Sequence, residues 1–209
     1  MSSAPEARRV IAYVDGFNLY FGLKEAGFRW SYWLNLRVLL ENYLRQSQRL
    51  ASVKYFTARI AGPPEKKSRQ DCYLEALKTL PELTVIEGQY RLKDLRCRAC
   101  SAAFQVPTEK MTDVNIATEL LTDAFRDEFD TAFVVSGDSD LVPPIRRIRE
   151  LFPRKAVLVL FPPHRVTASL KEAASGTLRL YERELRSSQF PAVIDRPGAG
   201  PLTRPPYWS

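Results

Sequence analysis

The 209-residue sequence has a single histidine, His164, so no His-pair site can be assembled from it and no Ser–His nucleophile anywhere but at that residue. Cysteine is also scarce. Three thiols are an odd number and too few for a disulfide scaffold, which suits a reducing compartment. No apolar run approaches the length of a membrane span, and no basic-then-apolar leader precedes the first apolar segment. The expectation is therefore a cytoplasmic protein without a membrane partner. No internal repeat is present.

Apolar residues make up 45% of the chain, enough for one sizeable core. Lys and Arg outnumber Asp and Glu by 31 to 24, and the net charge of +7 suits a polyanionic partner. The cations cluster at Lys66, Lys67 and Arg69, at Arg91, Lys93, Arg96 and Arg98, and from Arg146 to Lys155. Each cluster reads equally as a solvated face.

Short apolar runs alternate with helix-period segments. Strands are predicted at residues 10–14, 53–60, 83–92 (interrupted at Gly88), 131–136, 156–161 and 177–181. Helices are predicted at 19–26, 34–45, 65–80, 112–125, 141–151 and 166–174. The alternation implies a three-layer α/β/α fold with a mostly parallel, Rossmann-like central sheet. Residues 1–9 read as a disordered N-terminus, 10–190 as the domain with a basic insert near 93–108, and 191–209 as a tail. Six of the last fifteen residues are Pro or Gly, which favours a tail over core.

Acidic residues stand where strands end. Asp15-Gly-Phe-Asn18 follows the first strand, and Ser136-Gly-Asp-Ser-Asp140 follows the buried run Phe133-Val-Val135. In parallel sheets ligands bind beyond the carboxyl ends of strands where the strand order reverses. If the first and fourth strands are neighbours there, Asp15 and Asp138 share a crevice. Asp113 shares a helix face with Ala117, Leu120, Leu121 and Ala124, which places its carboxylate over the strand ends. Helix capping by Asp138 or Asp140 and dipole complementation by Asp113 are the competing readings.

Gathering these acids has a cost. Two unit charges about 4 Å apart repel by roughly 4 kcal/mol at an effective dielectric of 20. Convergence therefore implies a cation, or raised pKa values in its absence. An all-oxygen donor set favours Mg²⁺ or Mn²⁺ over zinc, and such an ion acts on phosphodiesters.

The three motifs together, with Glu109-Lys-Met-Thr-Asp113 opening its helix, resemble the NYN domain family, LabA-like proteins with a PIN-like nuclease fold. The resemblance runs from about residue 10 to 189. It implies a metal-dependent endoribonuclease acting on RNA taken up as a single strand. Asp15, Asp113, Asp138 and Asp140 match the family's acidic positions, and Asn18 its amide position. Homo-oligomerisation is left open.

Ser136, Ser139, Arg96, Arg98 and His164 are further candidates for substrate contact, each with a plainer role in turn geometry or solvation. Cys97-x-x-Cys100 is half of a zinc site, with only Cys72 and His164 left to complete it. A zinc shared between subunits, a reversible disulfide and two plain thiols compete with that reading. Trp30, Tyr32 and Trp33 fit a core edge or an interface better than base stacking. Two other functions compete with the nuclease: an RNA-binding or regulatory scaffold with a vestigial pocket, and a metal-dependent phosphatase or nucleotide hydrolase.

Overall fold

The structure, a computed structural model, describes residues 7–96 and 99–208. Its elements run β1 Arg8–Asp15, α1 Gly16–Glu25, α2 Leu36–Glu41, β2 Gln48–Thr57, α3 Pro64–Leu77 and β3 Leu83–Glu87. There follow β4 Gln89–Arg96, β5 Ala103–Lys110, α4 Thr112–Phe125, β6 Thr131–Val135 and α5 Val142–Leu151. The chain ends with β7 Ala156–Phe161, α6 Ala168–Ala173, β8 Gly176–Arg179, α7 Glu182–Ser187, β9 Val193–Arg196 and β10 Ala199–Thr203.

The central sheet has the order β3-β2-β1-β6-β7-β8, with every pairing parallel. β1 and β6 are neighbours. From β1 the chain builds outward through β2 and β3; from β6 it builds the other way through β7 and β8. The order reverses between them, so this is the switch point.

Side-chain alternation divides the core in two. Val10, Ala12 and Val14 pack with α1, α2, α3 and α7 on one face. Ile11 and Tyr13 pack with α4, α5 and α6 on the other. The result is the expected three-layer α/β/α fold. Among the described residues, no helix is long and apolar enough to cross a membrane.

The fold departs from the sequence reading most clearly at four places. Arg8 and Arg9 belong to β1 rather than to a disordered terminus, because the Arg9 amide and guanidinium both bond Asp130. Residues 1–6 lie outside the described residues. The helix expected over 34–45 contracts to α2, with Asn35 capping it through the Val38 amide. The strand expected over 83–92 splits at Gly88: β3 stays in the sheet, while β4 starts a separate antiparallel ribbon with β5. A Cβ on Gly88 would lie 2.7 Å from the Lys110 carbonyl, so only glycine allows the ribbon's base to close this tightly.

The fourth departure is the tail. β9 and β10 form a hairpin, and Leu202 and Trp208 are buried in the main core. Trp208 packs on Trp33 and Tyr73 at centroid distances of 6.2 Å, and Trp33 Nε1 donates to the Pro191 carbonyl at 2.8 Å. Pro and Gly punctuate this hairpin but leave its apolar residues free to anchor it.

Candidate active site at the switch point

Strand parity aims Asp15. It follows Ile11 and Tyr13 on the α4 side of β1, and Ser136 follows Ala132 and Val134 on the same side of β6. Val14 pairs with Val135, so these two polar residues emerge side by side one position later. The Ser136 hydroxyl donates to Asp15 Oδ2 at 2.9 Å and accepts from the Asp138 amide at 3.1 Å. Asp15 Oδ1 accepts from the Asn18 amide at 3.0 Å and thereby caps α1. Asn18 Oδ1 in turn accepts from the Gly137 amide at 2.9 Å. Two motifs more than a hundred residues apart are thus stitched into one loop pair.

Gly137 is needed for this. A Cβ there would lie 1.8 Å from the Arg165 carbonyl, in the loop after β7. That loop lies so close over the turn that no side chain fits between them.

Asp138 accepts from the Asp140 amide at 3.0 Å, capping the 3-10 turn Ser139–Leu141. The capping reading therefore holds for one oxygen of Asp138. Asp140 itself is exposed and receives rather than supplies that cap. Asp113 enters from the first turn of α4 and is half-buried. The residue before α4, Met111, has a φ of +79°, a left-handed conformation uncommon for a side chain of its size.

Electrostatics tie the four acids together. Asp15 is 4% exposed, and burial pushes its carboxyl up to about 6. The Asn18 and Ser136 hydrogen bonds oppose that rise, while the charges of Asp113 and Asp138 add to it. Burial also raises the Asp113 carboxyl, followed by the charges of Asp138 and Asp140. Burial is the larger cause for both groups, and the neighbouring carboxylates add to it. Among the described residues, no three acidic, His or Cys side chains close around one point. Asp15 and Asp138 instead direct oxygens at Ser136, the Asn18 amide and the Asp140 amide. Each carboxylate oxygen keeps a further lone pair, so this all-oxygen set is chemically suited to Mg²⁺ or Mn²⁺.

Other expected residues fall elsewhere. Ser136 is fully buried, its hydroxyl engaged with Asp15 and with the Asp138 amide. Ser139 is exposed. Arg96 is exposed at the far end of the β4–β5 ribbon, whose base is at Gln89 and Lys110. Seven residues of strand span roughly 23 Å, so Arg96 stands that far along the ribbon from its base. Cys97 and Arg98 lie outside the described residues, and Cys100 is exposed. His164 is exposed on the loop after β7, with a φ of +59°. Cys72 packs against the main core, its thiol 3.5 Å from the Thr203 carbonyl. The cations of α5 are occupied locally: Arg146 with Glu172, Arg147 with Glu150, and Arg149 with the Ala173 carbonyl.

Two features escaped the sequence reading. Asp123 is buried on α4, where it accepts from the Tyr13 hydroxyl and from Lys54 Nζ, both at 2.6 Å. The spacing of Ile116, Leu120 and Asp123 was the available signal, since it continues a helical stripe. A cavity of about 250 Å³ also opens on the opposite face of the sheet, between α1 and α3, with Tyr207 and Trp208 in its wall. The chemistry-bearing acids lie across the sheet from it.

A parallel sheet whose order reverses between β1 and β6, with acids at that point, defines a doubly wound α/β domain of the kind that binds ligands at its switch point. The chain belongs to the NYN domain family, whose model matches residues 9–180. Domains of this family are typically nucleases of PIN-like fold and generally use divalent metals. The chain is also 28% identical to 6-hydroxy-3-succinoylpyridine 3-monooxygenase HspA of Pseudomonas putida, over 97% of this chain and 76% of that protein. Its fold matches the crystal structure of a protein of unknown function from Vibrio parahaemolyticus, with a TM-score of 0.59 at 20% identity. That match covers 87% of this chain and 98% of the other.

Proposed function

We propose that the crevice hydrolyses RNA phosphodiester bonds with a divalent ion, Mg²⁺ or Mn²⁺, held by Asp15, Asp113, Asp138 and Asp140. The observation that carries this reading is the buried Asp15 carboxylate, raised to about 6 with Asp113 and Asp138 adding repulsion. A cation relieves that repulsion; an acid that only capped a helix would not need one. The ion supplies Lewis acidity toward the phosphodiester and its attacking water.

The chain's own residues do the rest. Ser136 holds Asp15 in place, and Asp138 is held through its own amide by the same hydroxyl. Asn18 spends Oδ1 on the Gly137 amide, which turns Nδ2 toward use as a donor to a phosphate oxygen. Asp113 and Asp140 also orient the attacking water, and one of them accepts its proton on a carboxylate oxygen not engaged with the ion. The net charge of +7 draws the polyanion to the surface.

The test compares wild type with Asp138→Asn on labelled single-stranded RNA, in Mn²⁺ or Mg²⁺ and in EDTA. The expected result is metal-dependent cleavage that disappears in the variant. RNA bound equally by both proteins and cut by neither replaces the nuclease with a scaffold. Cleavage of mononucleotides alone replaces it with a nucleotide hydrolase.

A second reading takes its lead from the Pseudomonas relative: oxygenation of a pyridine-ring acid. The aromatic-walled cavity beside α1 favours it. Oxygen consumption that requires 6-hydroxy-3-succinoylpyridine and an electron donor such as NADH would establish it.

A further inference from the structure

The cavity between α1 and α3 holds about 250 Å³, far more than the water-sized voids of a packed interior. It lies below the roughly 300–1,000 Å³ of drug-sized sites, which suits one ring with a substituent. Aromatic side chains line it almost continuously. Tyr20 meets Tyr32 at a centroid distance of 5.0 Å, and Tyr32 meets Trp208 edge-on at 6.0 Å. Trp208 then meets Tyr73, and Tyr73 meets Tyr55, each at 6.2 Å and near-perpendicular. Such walls offer both faces and edges to a flat guest.

The charge at this cavity has one sign. Lys24, Lys66 and Arg69 line it, and no Asp or Glu does. Among the described residues, none of the three is ion-paired with a carboxylate. The Arg69 guanidinium is instead set 4.6 Å from the Tyr207 ring, whose other cationic neighbour, Arg29, lies at 4.4 Å. Elsewhere the chain readily pairs its arginines with acids, as Arg59 does with Glu87 and Asp71. Unpaired cations above an aromatic chamber complement a ring that carries a negative group.

Two features separate this chamber from the acidic crevice. Gly16 and Phe17 line it, whereas the Asp15 side chain projects to the other face of the sheet. Its outer wall, Tyr207 and Trp208, comes from the segment after β10, beyond the residues matched by the family model.

We propose that this cavity is a binding site for a planar aromatic ring joined, directly or through a short linker, to an anionic group, taken either from a nucleotide or from a free aromatic carboxylate. The ring enters the cavity against the wall that the tyrosines and Trp208 form, and the anion rests on Lys66 and Arg69. The proposal stands apart from the nuclease reading, since nothing in it requires the acids.

The test is calorimetric titration of the full chain in EDTA, with Trp fluorescence read in parallel. The probes are uridine 5′-monophosphate, adenosine 5′-monophosphate, nicotinate, uridine and cyclohexanecarboxylate. The expected result is saturable binding of a nucleotide or of nicotinate, at least tenfold tighter than uridine or cyclohexanecarboxylate. Lys66→Gln with Arg69→Gln should weaken it about tenfold, and Tyr207→Ala, at an exposed ring, should weaken it independently. Preference for nucleotides assigns the site to an RNA strand or a free nucleotide; preference for nicotinate assigns it to a small aromatic acid. No binding of either class tighter than about 1 mM overturns the proposal. So does equal binding of cyclohexanecarboxylate, or binding untouched by all these substitutions in proteins with wild-type circular dichroism. Because cleavage is absent in EDTA under the nuclease reading, failure here and failure there are read separately.

Discussion

Ser136 and Asp15 meet through a 2.9 Å hydrogen bond between the ends of two adjacent parallel strands. The same hydroxyl accepts the Asp138 amide, so one buried atom fixes two acids that come from distant parts of the chain. A hydrogen bond to a charged group contributes roughly 1.5–3 kcal/mol, and it partly offsets the burial of Asp15. The offset is incomplete, as the raised carboxyl shows.

That incomplete offset predicts that Asp15→Asn stabilises the metal-free protein. A carboxyl whose folded pKa is about 6 against an ordinary 3.8 costs stability once the pH exceeds both values. The penalty is full above about pH 6, shrinks as the pH falls through the folded pKa, and vanishes below the unfolded one. Urea titrations in EDTA at pH 7.5 should show the variant more stable by on the order of 2 kcal/mol. The gap should close toward pH 4. Mn²⁺ should raise the Tm of wild type and leave that of the variant unmoved.

Gly137→Ala should damage fold and site together. Its Cβ would overlap the Arg165 carbonyl, a backbone atom that cannot swing aside. Overpacking of this kind costs roughly 3 kcal/mol or prevents folding. Gly200→Ala is the matched control, because nothing lies within 4 Å of the added atom. Chemical denaturation of the pair measures the difference, and equal stability would remove the close-packed loop from the account of the site.

Trp208→Ala should cost about 3 kcal/mol, the usual range for emptying a large aromatic site. Trp208 is 7% exposed and touches Trp33, Tyr73 and Tyr32. Loss of the indole should also shift Trp33 emission to the red, since water then reaches the core edge. A variant with unchanged stability and spectrum would return the C-terminal segment to the status of a tail.

The sheet and its crevice were legible because they rest on local rules. Continuous apolar runs such as Phe133–Val135 mark buried parallel strands, and acids directly after them fall at strand ends. Asp113 was legible from helical spacing, although the buried stripe of α4 runs through Ile116 and Leu120 and leaves Asp113 at its margin. What composition hid was long-range anchoring. Pro and Gly in the last segment signalled disorder, yet Leu202 and Trp208 find their partners on Trp33 and α3, far away in sequence. The β4–β5 ribbon was hidden for a related reason: the turn that separates it from the sheet rests on Gly88 closing against Lys110, a contact between distant residues.

Alternation along β1 gives the strand's length an arithmetic meaning. Odd positions from Ile11 to Asp15 face one core and even positions from Val10 to Val14 face the other. A single residue added to or deleted from β1, where no bulge absorbs it, would exchange the two sets on one side of the change, turning Asp15 toward the aromatic chamber and an apolar residue toward the crevice. The parity of β1 therefore decides on which face of the sheet Asp15 emerges.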